Sequence, residues 1–388
     1  MGWMSWEVFR CETDCAAHPD ACIDEHLYKQ MADALQTDGY VAAGYKTISI
    51  DDCWEAGVPG VLRRPGAPLQ MNATRFPSGP KSLSDYIHKR GAKFGIYSDE
   101  GTATCEGYPA SQGYEDLDAQ TFAAWGVDYL KLDGCNNDVS NYATGYAAMG
   151  QALQKAGRDV VYSCSWPAYI GDDEAAKPYD AMAKAGCHLW RNWHDVQCSW
   201  SSVRTIINHF GNNSAALEKV AGPGRWNDPD MLLAGNDCVT DAEATTQMVI
   251  WSILAAPLIM GNDLRHMSDP MKKLLLNPEI IAIDQDPLGL PGRRRTKLPG
   301  TVEVWTRELR GGDLAVAVYF DKPGKFPLVA VKVGWTPLLV SVRDVVRRES
   351  LGVFRRDAVI SVESTAAHAV RLYRLSRIFG PVREGAIV

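Results

Sequence analysis

The chain has 388 residues, too many for one ordinary hydrophobic core, so we predict a large domain followed by a smaller one. Forty Lys and Arg stand against 47 Asp and Glu, a formal net charge of −7. The basic residues are scattered, which argues against a nucleic-acid partner. The longest apolar stretch, residues 248–260, contains Ser252 and Pro257 and is shorter than the roughly 20 residues of a membrane helix. We expect it to be buried core, with no membrane span.

Ten cysteines and two glycosylation acceptors indicate the secretory route. The acceptors are Asn72, followed by Ala-Thr, and Asn212, followed by Asn-Ser. Zinc is the competing explanation, because Cys11, Cys15 and Cys22 lie close together. However, the sequence has no paired Cys-x2-Cys motifs and no accompanying His-x3-His. Disulfides are therefore favoured, and we predict neither a metal site nor a cofactor.

The first 289 residues alternate between strand-like and helix-like segments. Short apolar, β-branched runs end in polar or acidic residues at 46–52, 93–99, 127–133 and 159–164. Between them lie amphipathic segments such as 27–36, which has apolar residues at helical spacing. Gly39, Gly91 and Gly126 stand where helices should end before the next strand.

Successive predicted strands end about 30 to 50 residues apart, which fits one strand and one helix per unit. Such units build either an eightfold barrel or an open parallel sheet. No G-x-G-x-x-G opens a helix, which weakens the dinucleotide-binding form of the open sheet. In a barrel, the polar residues at the strand ends converge on one face, as the acidic residues here would.

After residue 289 the pattern changes to short strands separated by turns. They are predicted at 301–305, 314–320, 329–333, 338–342 and 368–373. This spacing is typical of an antiparallel β-sandwich. We therefore predict an α/β protein with a (β/α)8 TIM barrel at 1–292, followed by a C-terminal antiparallel β-sandwich domain at 293–388. A tail without clear pattern begins near Arg377.

The segment at 129–135, YLKLDGC, carries the most chemical information. Asp133 ends an apolar strand, and Lys131 lies two residues earlier, so both side chains point to the same face. A cation beside a carboxylate keeps it ionised, as a nucleophile requires. Taken alone, the segment is better explained as a strand-end salt bridge.

Further acids occur at other strand ends or in tryptophan-rich segments, at Asp51, Asp52, Asp195, Asp228 and Asp230. A glycosidase needs two carboxyl groups flanking the scissile bond, and further acids hold sugar hydroxyls. Two alternatives remain open from the residues alone. Asp51 and Asp52 could cap a turn or helix, and an acidic cluster could bind Mg²⁺ or Zn²⁺.

Taken together, these segments resemble the α-galactosidase and α-N-acetylgalactosaminidase family of retaining glycoside hydrolases. The matching pieces occur in the family's order: MGW at 1–3 with WE at 6–7, DDCW at 51–54, GIY at 95–97, KLDGC at 131–135, CSWPAY at 164–169, WRN at 190–192, WNDPDM at 226–231 and QDPLG at 285–289. The resemblance implies a (β/α)8 barrel with a β-domain and hydrolysis by double displacement, with no cofactor. The β-domain resembles the family's only in general character.

The resemblance also implies residue roles. Asp133 matches the nucleophile and Asp195 the acid/base. Matches to residues that contact the substrate or line the site are Trp6, Asp51, Asp52, Tyr97, Lys131, Tyr169, Arg191, Asp230 and Met231. The implied disulfides are Cys11–Cys53, Cys15–Cys22, Cys105–Cys135 and Cys164–Cys187. Cys198 and Cys238 depart from the family pattern, and we predict that they form a fifth, since a free thiol is a liability in an oxidising compartment.

The loop SWPAY at 165–169 bears on the choice of sugar. In the galactosidase branch, Glu and Leu occupy the positions that match Ser165 and Ala168, and they crowd the 2-position of the sugar. The small residues here resemble α-N-acetylgalactosaminidase, because Ser165 can hydrogen-bond an acetamido group and Ala168 leaves room for its methyl. We therefore predict an exo-glycosidase that prefers terminal α-linked GalNAc and processes α-galactose slowly. If these are mere loop residues, selectivity is set elsewhere.

Three rival functions remain. An α-galactosidase of the same family would have the larger loop residues. A catalytically silent sugar-binding protein would not need both Asp133 and Asp195, and a metal-dependent hydrolase would lose activity with a chelator. The resemblance also implies a homodimer, a lysosomal or secreted location and an acid pH optimum, with a terminal α-GalNAc or α-Gal glycan as substrate.

Overall fold

The computed structural model describes residues 1–298 and 301–378. Eight parallel strands form one sheet in the order β7-β6-β5-β4-β3-β2-β1-β8. These strands are β1 Gly2–Met4, β2 Thr47–Ser49, β3 Lys93–Asp99, β4 Tyr129–Asp133, β5 Val161–Cys164, β6 Leu189–Arg191, β7 Trp226–Asp228 and β8 Ile259–Met260. The predicted strands at 46–52, 93–99, 127–133 and 159–164 contain β2 to β5.

The sheet closes on itself. Gly2 of β1 pairs with Thr47 on one side and with Ile259 of β8 on the other. Leu232, just after β7, forms a parallel bridge with Met260, and its N–H lies 2.8 Å from the carbonyl of Ile259. The fold is therefore the predicted (β/α)8 barrel, and the carboxyl ends of all eight strands face the same way.

Helices follow most of the barrel strands in the sequence. They are α1 Trp6–Phe9, α2 Glu25–Thr37, α3 Tyr40–Ala43, α4 Pro80–His88, α5 Glu115–Trp125, α6 Tyr142–Lys155, α7 Tyr179–Lys184, α8 Trp200–Asn212, α9 Ser214–Val220, α10 Asp241–Leu254, α11 Asp269–Leu275 and α12 Pro278–Asp284. Local chemistry fixes their ends. Asp24 caps α2 by accepting the N–H of Leu27, and Thr240 and Glu243 form a capping box on α10.

A second group of strands follows α12. Six antiparallel strands lie in the order β14-β13-β16-β11-β10-β9, and β12 pairs with β15 in a separate ribbon. The strands are β9 Arg293–Leu298, β10 Val302–Glu308, β11 Leu314–Phe320, β12 Gly324–Val329, β13 Leu339–Asp344, β14 Glu349–Arg355, β15 Val359–Ser364 and β16 Ala369–Arg377. Inward residues of both sheets, such as Val316, Val340 and Val362, share one buried cluster, as expected for the predicted β-sandwich.

One predicted strand is wrong in position. Residues 329–333 were expected to be a strand, but β12 ends at Val329 and a 3-10 helix follows at Ala330–Val333. The predicted apolar stretch at 248–260 is buried, as the end of α10 and β8. The strand β9 begins at Arg293, and the domain boundary at 292/293 stays a prediction. The predicted tail lies mostly outside the described residues.

By its internal contacts the chain forms two compact units. One comprises residues 1–197, 224–232 and 258–267, and it contains all eight barrel strands. The other comprises 198–223, 233–257 and the chain from 268 on. Within the described ranges no helix is both long and apolar enough to cross a membrane.

All five predicted disulfides are present, and among the described residues no cysteine is free. The pairs are Cys11–Cys53, Cys15–Cys22, Cys105–Cys135, Cys164–Cys187 and Cys198–Cys238.

Candidate active site

The barrel brings the predicted acids together at the carboxyl ends of its strands. Asp51 and Asp52 follow β2, Asp133 is the last residue of β4, and Asp228 is the last residue of β7. Asp230 lies two residues further on, with a left-handed φ of 82°. Because all these strands are parallel, their ends share one face of the barrel.

Lys131 joins two of these carboxylates. Its ammonium group lies 2.8 Å from Asp51 and 3.9 Å from Asp133, and the Tyr97 ring centroid is 5.1 Å away. Burial lowers the pKa of Lys131, but the charges of Asp51 and Asp133 outweigh it, so the pKa is raised and the side chain stays cationic. The predicted pairing of Lys131 with Asp133 is therefore present, together with a second partner.

Asp133 is held in one orientation. One carboxylate oxygen accepts hydrogen bonds from the Tyr169 hydroxyl at 2.8 Å and from the Gly134 N–H at 3.0 Å. The other oxygen is the one that faces Lys131. Burial, followed by the charge of Asp133, raises the pKa of Tyr169, so its hydroxyl remains a donor at any physiological pH.

Arg191, the last residue of β6, bridges a second carboxylate pair. Its guanidinium lies 2.9 Å from Asp195 and 3.1 Å from Asp230. The Asp195 side chain is 64% exposed, whereas that of Asp230 is 5% exposed and also accepts the Val196 N–H at 2.8 Å. Burial raises the pKa of both acids. For Asp195 the charges of Arg191 and Lys131 and a hydrogen bond from Arg191 reverse the shift, leaving its pKa lowered, while that of Asp230 stays raised.

Asp133 and Asp195 line the same pocket, which has a volume of about 160 Å³. The pocket walls are Asp133, Ser165, Ala168, Tyr169, Arg191, Trp193, His194 and Asp195. Ser165 and Ala168 belong to the turn after β5, where the Ser165 N–H donates to the Leu132 carbonyl beside Asp133. The two residues predicted to choose the sugar therefore face the same space as the two predicted catalytic acids.

The remaining predicted contacts lie outside the walls of this pocket. Lys131, Arg191, Asp230 and Met231 line a much smaller void of about 10 Å³. Burial raises the pKa of Asp52 to about 7, although its carboxylate accepts the Glu106 N–H at 3.0 Å. The ring of the buried Tyr97 lies next to the ammonium group of Lys131. Trp6 is the first residue of α1, which follows β1.

Several residues near the site were not assigned a role from sequence. Glu7 is almost fully buried, and burial raises its pKa to about 8. The charge of Arg10 opposes this shift, and the charges of Asp230 and Asp195 add to it. Trp193 and His194 line the pocket, and the Trp193 indole N–H donates to Asp172 at 2.6 Å. In the sequence, only the position of Trp193 and His194 immediately before Asp195 indicates that they belong to the site.

Asp51, Asp133, Asp195 and Asp230 are each paired with a cation, and none of them belongs to a group of the described side chains that could hold a metal ion. Across the described ranges, two groups of side chains lie close enough to share an ion, namely Cys15–Cys22 with Asp24 and Cys105–Cys135 with Asp99. In both, the two cysteines are joined in a disulfide and offer no thiolate.

The two glycosylation acceptors lie elsewhere on the chain. The Asn72 side-chain oxygen accepts the N–H groups of Thr74 and Arg75, and Asn212 is exposed at the end of α8. Their glycosylation stays a prediction.

A closed parallel barrel with paired carboxylates and fixed cations at its strand ends is an architecture of glycoside hydrolases. The family model for alpha galactosidase A matches residues 1–286, and the model for the alpha galactosidase C-terminal beta sandwich domain matches residues 299–375. This chain belongs to that family of glycosidases.

The chain is similar to alpha-galactosidases and to alpha-N-acetylgalactosaminidases. Human alpha-galactosidase A is 46% identical over 319 residues, covering 82% of this chain and 73% of the relative. Chicken alpha-N-acetylgalactosaminidase is 45% identical over 339 residues, covering 86% of this chain and 82% of the relative. The crystal structure of alpha-galactosidase I from Mortierella vinacea superposes with a TM-score of 0.84 at 31% identity, covering 97% of this chain and 96% of that one.

Proposed function

We propose that this protein is a retaining exo-glycosidase that removes terminal α-linked N-acetylgalactosamine from glycoconjugates and acts more slowly on α-galactose. One observation carries the proposal. Asp133, Asp195, Ser165 and Ala168 line one pocket, so the predicted acids and the predicted specificity residues face the same bound sugar.

In the first step, Asp133 attacks the anomeric carbon while Asp195 gives its proton to the leaving-group oxygen, and the glycosidic C–O bond breaks. The ammonium group of Lys131 faces the attacking carboxylate at 3.9 Å, and Tyr169 and Gly134 fix its orientation. In the second step, Asp195 takes a proton from water as the water displaces Asp133. The sugar leaves with its original anomeric configuration.

The environment of Asp195 supports an acid pH optimum. Because Arg191 and Lys131 lower its pKa, Asp195 is protonated to an appreciable extent only in acid solution, and the first step needs that proton. The same lowered pKa suits the second step, in which Asp195 must be ionised to accept a proton from water. The alkaline limb of kcat/KM is expected to report the titration of Asp195 in the free enzyme.

The first experiment assigns the two acids. In Asp133→Ala, azide can take the place of the missing nucleophile, giving a β-glycosyl azide from an α-glycoside. In Asp195→Ala, azide attacks the glycosyl-enzyme instead, giving the α-azide. We expect kcat for p-nitrophenyl α-GalNAc to become undetectable without azide in the first variant and to fall by about 10²- to 10⁴-fold in the second, which also loses the alkaline limb.

The same assay separates the rivals. Faster turnover of p-nitrophenyl α-galactoside than of the GalNAc substrate would replace the proposed specificity with that of an α-galactosidase. Loss of wild-type activity in a chelator would favour a metal-dependent hydrolase. Sugar binding without turnover would favour the silent binding protein, and exchanged azide products would reverse the roles of the two acids.

Location and assembly are further proposals. Five disulfides support passage through an oxidising compartment, and we propose a lysosomal or secreted enzyme.

We also propose the homodimer implied by the family resemblance; light scattering of the purified chain tests it.

A further inference from the structure

Two aromatic side chains at the pocket have no part in the proposed chemistry. Trp193 and His194 lie between Arg191 and Asp195 on the segment that follows β6, and both line the pocket. Trp193 is half-buried and His194 is 67% exposed. They therefore present ring surface to whatever occupies the space beside Asp195.

The Trp193 ring is fixed from a neighbouring loop. Its indole N–H donates to the carboxylate of Asp172, which lies in the segment between β5 and α7. The His194 ring is 4.4 Å from the Trp193 ring, and its Nε2 is 3.9 Å from the same carboxylate oxygen. A ring held by a hydrogen bond at its edge and a second ring alongside loses little conformational freedom when it binds a ligand.

The location of the ring decides which part of a substrate it meets. In double displacement the nucleophile faces the anomeric carbon, while the acid/base faces the oxygen of the leaving group. Asp195 directly follows Trp193 and His194 in the chain and shares their pocket wall. A leaving group bonded to that oxygen would therefore lie beside the segment that carries these rings.

We propose that Trp193, held by Asp172, is the platform of a leaving-group subsite that binds a sugar or aryl aglycone. This proposal rests on the proposed function and adds the class of aglycone to it. The C–H groups on one face of a pyranose pack against an indole by dispersion, and an aryl group packs in the same way. Asp172 acts as a positioning residue, because its contact is with the indole N–H.

The test varies the leaving group while the glycon stays constant. Wild type and Trp193→Ala are compared on α-GalNAc fluoride, p-nitrophenyl α-GalNAc and a disaccharide of GalNAc α-linked to galactose. The fluoride has no aglycone ring and leaves with little protonation, so its cleavage reports the glycon site and the attack of the nucleophile. We expect kcat/KM to fall about 10-fold on the disaccharide and the aryl glycoside, and to stay within about twofold on the fluoride.

Matched variants separate the ring from its support. Trp193→Phe keeps a ring without the N–H, so a smaller loss is expected than for Trp193→Ala. Asp172→Asn keeps an oxygen acceptor and should behave as wild type, whereas Asp172→Ala should lower kcat/KM only for the ring-bearing substrates. Thermal unfolding of each variant verifies that it is folded.

Four outcomes would overturn the proposal. Losses that are equal on all three substrates, or confined to the disaccharide, whose leaving group most needs protonation, would show that the ring supports the pocket or Asp195 instead of an aglycone. Unchanged rates on all three would show that no subsite exists there. If wild type cleaves none of them and none of the corresponding galactosides, the proposed function fails and this proposal with it.

Discussion

At the scale of single residues, each candidate catalytic acid shares its cation with a more deeply buried carboxylate. Lys131 lies between Asp133 and Asp51, whose side chain is 2% exposed. Arg191 lies between Asp195 and Asp230. The buried partners fix the two cations before a substrate arrives, so the field at the reacting carboxylates needs no rearrangement during the reaction.

The sugar preference is tested at two residues. Ser165→Glu combined with Ala168→Leu fills the space proposed for the acetamido group, so kcat/KM for p-nitrophenyl α-GalNAc should fall by about 100-fold, with the α-galactoside much less affected. Ser165→Ala is the control, because it removes only one hydrogen bond and should cost about 10-fold or less on the GalNAc substrate. An unchanged ratio of the two rates in the double variant would place selectivity outside this loop.

The residue-scale contacts could be predicted only in part. The period of a β-strand places Lys131 and Asp133 on one face, and this pairing is present. The shorter contact of Lys131 with Asp51 could not be foreseen, because β2 and β4 are separated by β3 and only the curvature of the barrel brings them together. The left-handed backbone of Asp230 could not be predicted either, because Asp, although enriched at positive φ, adopts it at only a small fraction of its positions.

At the scale of elements, the segment between β6 and α8 carries Asp195 and is tied at several points. Arg191 holds Asp195, Asp230 accepts the Val196 N–H, and Cys198, three residues after Asp195, is bonded to Cys238. Ser199 then caps α8 by accepting the Ser202 N–H. The cysteine pair that departs from the family pattern thus restrains the chain just beyond the proposed acid/base.

Removing that disulfide should affect rate as well as stability. In Cys198→Ser with Cys238→Ser, we expect kcat on an alkyl glycoside, which needs protonation of its leaving group, to fall several-fold, with KM nearly unchanged. The loop of 40 residues contributes about 4 kcal/mol of unfolding free energy by the chain-entropy argument. Steady-state kinetics and denaturant unfolding measure the two effects.

The Cys15–Cys22 bridge provides the matched control. It closes only 7 residues, so its removal should cost about 2 kcal/mol and leave kcat unchanged. If both double variants keep wild-type kcat, the bridge at Cys198 has a purely structural role.

Elements differed in how well the sequence predicted them. The strands β3 and β4 have 7 and 5 residues and were recognised as apolar runs. The strands β1, β6, β7 and β8 have only 2 to 3 residues each, too few for any periodicity to emerge. The wrong strand prediction at 329–333 also reflects a short segment. Its alternating Val residues are compatible with a strand, but they are equally compatible with the short 3-10 helix found there, in which Ala330 and Val333 are buried.

At the scale of the whole molecule, the effect of burial on several carboxyl groups outweighs that of nearby cations and hydrogen bonds. Burial is the main cause that raises the pKa of Glu7 and Glu100 to about 8, of Asp52 and Asp284 to about 7, and of Asp228 to about 6. In the unfolded chain these groups titrate near pH 4. Between about pH 4 and pH 8, the folded state therefore binds more protons than the unfolded state.

The sign of the pH dependence follows from linkage. Where the folded state binds more protons, the free energy of unfolding decreases as the pH rises, so stability should decline from about pH 5 to pH 8. Acids whose pKa is lowered, such as Asp263 and Glu279, lose their contribution only below about pH 4, outside this window. His188, whose pKa is lowered by burial, opposes the trend below about pH 6.5, but it is one group against five.

We therefore expect Tm to be several degrees higher at pH 5 than at pH 7.5, measured by calorimetry at constant ionic strength. Glu100→Gln tests the cause without touching the pocket walls, because Glu100 is buried at a place where a Cβ on Gly145 of α6 would collide with its carboxyl group. The amide cannot ionise, so the variant should gain stability at pH 7.5 relative to wild type and show a flatter dependence. A Tm that rises with pH, or an unaltered slope in Glu100→Gln, would contradict this account. In this account, a lower pH favours both the protonated form of Asp195 and the folded state, in agreement with the proposed acid pH optimum.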